Sequence, residues 1–244
     1  KATNTTLGAD NGIGLAAILA ILQSHDIPHG PIEALFTVDE ETGMTGANNL
    51  DASILQAKYL INTDTENQNE ITVGCAGGID ANITFPITYI PTSSNSVAYK
   101  FQISGLTGGH SGFEINLGRA NANCIVSEFT RIATEKFNAQ LHVIQGGNMR
   151  NAIPREASSI VVIPKNIELD FISFYKVFIS EKETIYKTSD SNFTSELVTY
   201  ETPKSVIESN TTHVILHALQ NCPNGVISFD NNESSIVKTS TNLS

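Results

Sequence analysis

Short apolar runs that meet acidic residues at their ends are the strongest constraint on what this chain can fold into. "IEALFTVDE" closes on Asp39 and Glu40 with Glu41 next in line, "AKYLINTDTE" closes on Asp64 and Glu66, and "TTLGADNGIG" sets Asp10 directly ahead of an apolar run. β-Branched and aromatic content marks the first two as buried strands, with "EITVGCAGG" as a further short one. Ile13 to Leu22 reads as a helix that stops near the breakers of "HDIPHGP". Alternating strands and helices build open parallel sheets, whose ligands sit beyond the carboxyl ends of the strands. Acids placed there are suited to a site.

From Ile79 onward the pattern changes. "ANITFPITYI" and "VAYKFQISGL" alternate as half-exposed antiparallel strands do. A helix with an apolar stripe is expected from about Arg119 to Phe137, then two strands around "GGNMRNAIPREA", then helical stretches near 168–187 and 204–220. That βαββα order is α+β logic, so a domain boundary is placed near Gly78, giving domains 1–79 and 80–244. No short-period repeat and no low-complexity segment interrupts either part.

The bulk numbers set limits. A chain of 244 residues with 40% hydrophobic composition can bury a sizeable core as one large domain or two smaller ones. Its longest apolar stretch, "IGLAAILAIL" at 13–22, is about half of the roughly 20 residues a membrane helix requires. The net charge of −11 repels phosphate backbones, which argues against nucleic acid as a partner, and part of it can gather where bound cations neutralise it. Cys75, Cys124 and Cys222 show no C-x-x-C pair, so neither a disulfide framework nor a thiolate zinc site is indicated, and a reducing, cytoplasmic compartment fits. Sequons such as those at Asn82, Asn192 and Asn210 arise by chance in an Asn- and Thr-rich chain. The chain opens on Lys1, and both ends carry strand-like text, so an internal fragment is expected and the lack of a targeting segment carries no weight.

Asp10, Glu40, Glu41 and Asp64 are four carboxylates that one sheet edge could gather. Uncompensated, they would repel. Two divalent cations about 3.5–4 Å apart would turn that repulsion into coordination around a shared water. Adjacent glutamates suit divided labour, one on the metal and one taking a proton. Against this stand ordinary roles: an Asp ahead of a helix caps it, and a Glu-Glu pair is commonly a solvated face. "HVILH" at 213–217 has a zinc-protease histidine spacing but no glutamate within it, and reads as helix surface. "GADNGIG" lacks the Lys-Ser/Thr of a phosphate loop.

Taken together, "TTLGADNGIGLA", "FTVDEETGMTGA", "LINTDTE", "GCAGGID", "GLTGGHSGFEI" and "RNAIPREA" resemble the aminoacyl-histidine dipeptidases of the M20 metallopeptidase family over essentially the whole chain. The resemblance implies an α/β catalytic domain, phosphorylase/hydrolase-like with a mixed, mostly parallel sheet that is incomplete here, and an inserted α+β lid cut short after Ser244. It implies two zinc ions, with cobalt or manganese as alternatives. Asp10 would bridge both ions, Glu41 would bind one, Asp64 the other, and Glu40 would be the general base. A cis peptide is implied between Asp10 and Asn11. His110 would stabilise the oxyanion or hold substrate, and Asn151 and Arg155 would grip the carboxylate end of a small peptide ending in His. Lids of this family often pair, which implies a homodimer through the lid, an enlarged lid being the other arrangement.

The chain also departs from the family pattern. None of His25, His29, His110, His142, His213 and His217 lies in the His-x-Asp that the family places upstream of the bridging Asp, and the second zinc histidine is missing. Three of five expected protein ligands are present, so the chain alone is expected to be inactive. Tripeptidases, aminoacylases and carboxypeptidases of the same family, and a noncatalytic binding relative, are the rival readings.

Overall fold

The computed structural model describes residue 3, residues 9–64, 69–231, 233 and 235–244, without the side chain of Thr42; Glu66 lies outside the described residues. The chain divides into two compact units, Lys1–Gly78 and Ile79–Ser244. Among the described residues, no helix is long and apolar enough to cross a membrane.

The first unit is helical and irregular. Helix α1 spans Gly12–Gln23 and is capped by Asn11, whose side chain accepts from Gly14 N–H at 3.0 Å. It stops at Ser24, in extended backbone just ahead of the Pro- and Gly-rich stretch. Single-turn helices α2 (Glu40–Gly43) and α3 (Thr45–Asn48) follow, then a 3₁₀ turn at Ala52–Ile54 capped by Asp51.

The mostly parallel sheet expected in this region is not built among the described residues. Among the described residues of this unit there is no strand, and every strand pairing among the described residues of the chain is antiparallel. The segments around 32–38, 57–63 and 70–78 run without a ladder, leaving Tyr59 88%, Ile61 85% and Val73 97% exposed. The reason is coverage: a parallel strand must be buried on both faces, and α1 is the only helix longer than one turn among the described residues of the unit. The sequence text is strand-like, but without a neighbouring strand its backbone groups form no ladder.

The second unit has a packed core. Its main sheet, in the order β3–β4–β2–β5, combines β2 (Ser96–Ser104), β3 (Gln140–Gly146), β4 (Ala157–Pro164) and β5 (Thr194–Tyr200). With α4 (Ala122–Phe137) between β2 and β3, and α5 (Glu168–Tyr186) between β4 and β5, the path is βαββαβ, the split-βαβ, ferredoxin-like arrangement. Alternation along β2 turns Tyr99, Phe101 and Ile103 into the core, and Ile125, Val126, Phe129 and Ala133 supply the matching stripe of α4. Phe129 stacks on Phe101 with centroids 3.9 Å apart and also meets the rings of Phe171, Phe174 and Phe178. Aromatic pairs of this kind add about 0.5–1.5 kcal/mol each beyond area burial.

A pair of short strands, β1 (Tyr89–Pro91) and β6 (Ser205–Ile207), packs Ile90 and Val206 against Ala98 and Val162 in a second small cluster. Helix α6 (Ser209–Asn221) lies along α4, with Gln220 Nε2 donating to Ser127 Oγ at 3.1 Å. It carries His213 and His217 on its exposed side. A hairpin of β7 (Gly225–Phe229) and β8 (Val237–Thr241) closes the order.

Candidate active site

In the first unit, two glycines bring the acidic loops close to their neighbours. Asp10 immediately precedes the Asn11 cap, and the Asp10–Asn11 peptide is cis. A Cβ at Gly14 would collide with Thr63 Oγ1 and with the Asn11 side chain, so only glycine lets the first turn of α1 lie against the residue before Asp64. Asp64 N–H donates to Asn62 Oδ1 at 2.9 Å, which folds that loop back on itself.

The second acidic loop is built around Asp39, which adopts the left-handed conformation (φ 62°) and accepts from Thr45 Oγ1 at 2.5 Å. This turn delivers Glu40 and Glu41 as the first residues of α2. Gly46 closes it, donating to Val38 C=O at 3.1 Å in a space where a Cβ would sit 2.6 Å from Val38 N.

Asp10, Glu40, Glu41 and Asp64 are all solvent-exposed. Their oxygen donors suit a divalent cation. Even so, among the described residues no three His, Cys, Asp or Glu side chains converge closely enough to hold a metal, so the structure does not gather Asp10, Glu41 and Asp64 into a cage. With no ladder behind the loops among the described residues, no sheet edge there fixes their spacing. The residues fit a metal by donor type and leave its coordination incomplete.

In the second unit the structure does bring its expected residues together. The loop 105–121, between β2 and α4, and the segment 147–156, between β3 and β4, are laced by main-chain bonds. Ser111 N–H donates to Asn151 C=O at 2.8 Å, Ile153 N–H to Gly109 C=O at 2.9 Å, and Ala122 N–H to Pro154 C=O at 3.0 Å, while His110 and Ala152 form an antiparallel bridge. Arg155 Nε donates to Leu106 C=O at 3.0 Å, its stem lying over Gly108, where a Cβ would meet it. His110, Asn151 and Arg155 therefore share one exposed platform of two crossed loops.

The imidazole of His110 has a defined sense. Its Nδ1 accepts from Gly112 N–H at 3.0 Å and from Phe113 N–H at 3.3 Å, so the neutral ring carries its proton on Nε2. Nε2 is then the donor available to a ligand. The exposed Phe113 ring lies 4.9 Å from the imidazole centroid.

Three further residues build this platform, and none of them is a candidate site residue by sequence. Glu114 accepts from His110 N–H and pairs with Arg119; the His110 N–H first, then Arg119, holds its carboxyl below the ordinary value. Buried Asp190 accepts from Thr107 N–H and Ala120 N–H, both at 2.9 Å, and so pins the two ends of the His110 loop. Glu114, four residues after His110, could have been found as a local partner. Asp190, seventy residues beyond Ala120, carries no local signal.

Comparison with known proteins places these features in a lineage. The chain is 37% identical over 247 aligned residues to the cytosol non-specific dipeptidase of Escherichia coli K12, covering all of this chain and 50% of that protein. It superposes on the crystal structure of aminoacylhistidine dipeptidase from Vibrio alginolyticus with a TM-score of 0.81 at 38% identity, covering 99% of this chain and 49% of that one. Peptidase T of Vibrio parahaemolyticus is 29% identical over 160 residues, 55% of this chain and 39% of that protein. The chain thus spans about half the length of the first two relatives. The model for peptidase family M20/M25/M40 matches residues 8–239, nearly end to end, and the chain belongs to that family.

Proposed function

We propose that the full-length protein hydrolyses dipeptides ending in histidine, with metal-activated water, and that this chain supplies part of the catalytic α/β domain (1–79) and a lid (80–244). Likeness along essentially the whole chain to an aminoacylhistidine dipeptidase, at 38% identity, is the observation that carries the reading. In it, Asp10, Glu41 and Asp64 would be the residues of this chain that hold two zinc ions, cobalt or manganese being alternatives. Imidazole ligands come from the part of the relatives' length that this chain does not span. When bound, zinc polarises the scissile carbonyl and lowers the pKa of water toward 7.

The chain's own groups do the rest. Glu40 takes a proton from the attacking water and passes it to the departing amine, so no net proton is lost. His110 Nε2–H donates to the oxygen that gains negative charge as the carbonyl becomes tetrahedral. Asn151 and Arg155 hold the substrate's terminal carboxylate, for which the planar guanidinium is well shaped. By this account the protein is cytoplasmic, its lid pairs in a homodimer, and the chain on its own is without turnover because its metal ligands are incomplete.

A broader substrate range is favoured by one observation: the Escherichia coli relative, equally similar over the whole chain, is named a non-specific dipeptidase. Hydrolysis rates of the full-length protein on Xaa-His dipeptides and on matched dipeptides lacking histidine separate the two readings. The proposal expects the histidine substrates to lead, with activity removed by a chelator and restored by zinc. Chelator-resistant hydrolysis, or none on any dipeptide, would overturn it.

A further inference from the structure

We propose that Glu114 and Arg119 are a positioning pair that fixes the orientation of His110, an inference that rests on the reading of His110 as the donor to substrate.

The geometry is reciprocal. Glu114 Oε2 accepts from the backbone N–H of His110 at 2.8 Å, and the backbone N–H of Glu114 donates to the C=O of His110 at 2.9 Å. Both main-chain polar groups of His110 are thus tied to one residue. The other carboxylate oxygen, Oε1, lies 2.8 Å from Arg119 Nη2, and Arg119 Nη1 donates to Gly108 C=O. The ion pair spans the loop from position 108 to position 119, across the histidine.

Gly109, with φ 133°, makes room for this. A Cβ there would collide with Arg119 Nη1 and sit 2.5 Å from Glu114 Oε2, so the ion pair lies directly over the backbone that leads into His110. The turn held in this way presents Gly112 and Phe113 N–H to Nδ1 of the ring. Those two donors require Nδ1 to be an acceptor, and the proton is left on Nε2. The clamp therefore sets ring position and tautomer together, though neither of its side chains contacts the imidazole nitrogens.

The side chains of Glu114 and Arg119 are 36% and 19% exposed, where an ion pair contributes little to global stability. Ordering one loop is the larger effect of such a bond. A donor displaced by about 1 Å can cost about a hundredfold in rate.

The test is a double-mutant cycle in the full-length protein, with His110→Ala, Glu114→Ala and the two combined, read as kcat and KM on an Xaa-His dipeptide. Imidazole ¹⁵N shifts of His110, recorded in parallel, need no turnover. The pair predicts that Glu114→Ala lowers kcat about 10- to 100-fold with KM little changed. Adding Glu114→Ala to His110→Ala then costs nothing further. In Glu114→Ala the ¹⁵N shifts move from the Nε2–H tautomer toward a mixture, and Arg119→Lys recovers part of the loss that Arg119→Ala suffers.

Loss of activity in His110→Ala with normal kcat and unchanged ¹⁵N shifts in Glu114→Ala overturns the pairing alone. Multiplicative losses in the double variant overturn it too, since they indicate a general structural role. Unchanged turnover in His110→Ala overturns the reading of His110, and the pairing with it.

Discussion

Asp190 holds Ala120 across seventy residues of sequence: its Oδ2 accepts the Ala120 N–H at 2.9 Å, while Oδ1 accepts Thr107 N–H at the same distance. Ser189 Oγ also donates to Oδ2, at 2.8 Å. One buried carboxylate thus closes the base of the loop that carries His110. Asp190→Ala would strand the buried Ala120 N–H and free Thr107, and bonds to a charged acceptor are worth about 1.5–3 kcal/mol each. Urea unfolding should show a loss of about 2–5 kcal/mol, together with faster amide exchange at Thr107 and Ala120. Unchanged stability and exchange would remove Asp190 from this role.

Tyr99 couples the main sheet to α5 through its hydroxyl, which donates to Glu168 Oε1 at 2.6 Å. Burial first, then the neighbouring Glu168, pushes the phenol up from 10.0 to about 12. Folding therefore favours the protonated phenol. Its contribution is complete below pH 10 and is lost as the pH rises through 12. The urea midpoint of the wild-type chain should fall more steeply across that interval than that of Tyr99→Phe; parallel curves would contradict the assignment.

Gly14 carries a steric prediction. Gly14→Ala would force apart the Asn11 cap and Thr63, and with them the neighbours of Asp10 and Asp64. In the full-length protein the expected result is reduced zinc occupancy and a drop in kcat/KM of about tenfold or more, in line with the cost of small misplacements at a reacting centre. Zinc content and rate equal to wild type would show that the two loops do not depend on this approach.

Local pattern located most of the second unit and little of the first. The helix expected over 13–22 forms as Gly12–Gln23, and that expected from 119 to 137 begins at Ala122, because Asn121 caps it. The stretch near 168–187 is α5, and that near 204–220 divides into β6 and α6. Strand β5 carries little sequence signal, since "TSELVTY" is an exposed edge with little apolar alternation. The segments ending at Glu40 and Asp64 have strand composition but no ladder, because composition reports what a residue would bury and not whether a layer is present to bury it.

The site divides in the same way. His110, Asn151 and Arg155 are named by motif resemblance alone, and what the structure adds is that their loops meet through bonds between residues about 40 positions apart. Glu114 and Arg119 act on the backbone and Asp190 from a distant turn, and no periodicity encodes such contacts.

The most direct test is to measure bound zinc and the hydrolysis of an Xaa-His dipeptide by the full-length protein, wild type against Glu40→Ala. The account predicts that the variant keeps its zinc while turnover falls by about 10² to 10⁴-fold, the range expected for loss of a general base. Turnover equal to wild type, or a wild-type protein that neither binds zinc nor cleaves the dipeptide, would contradict it.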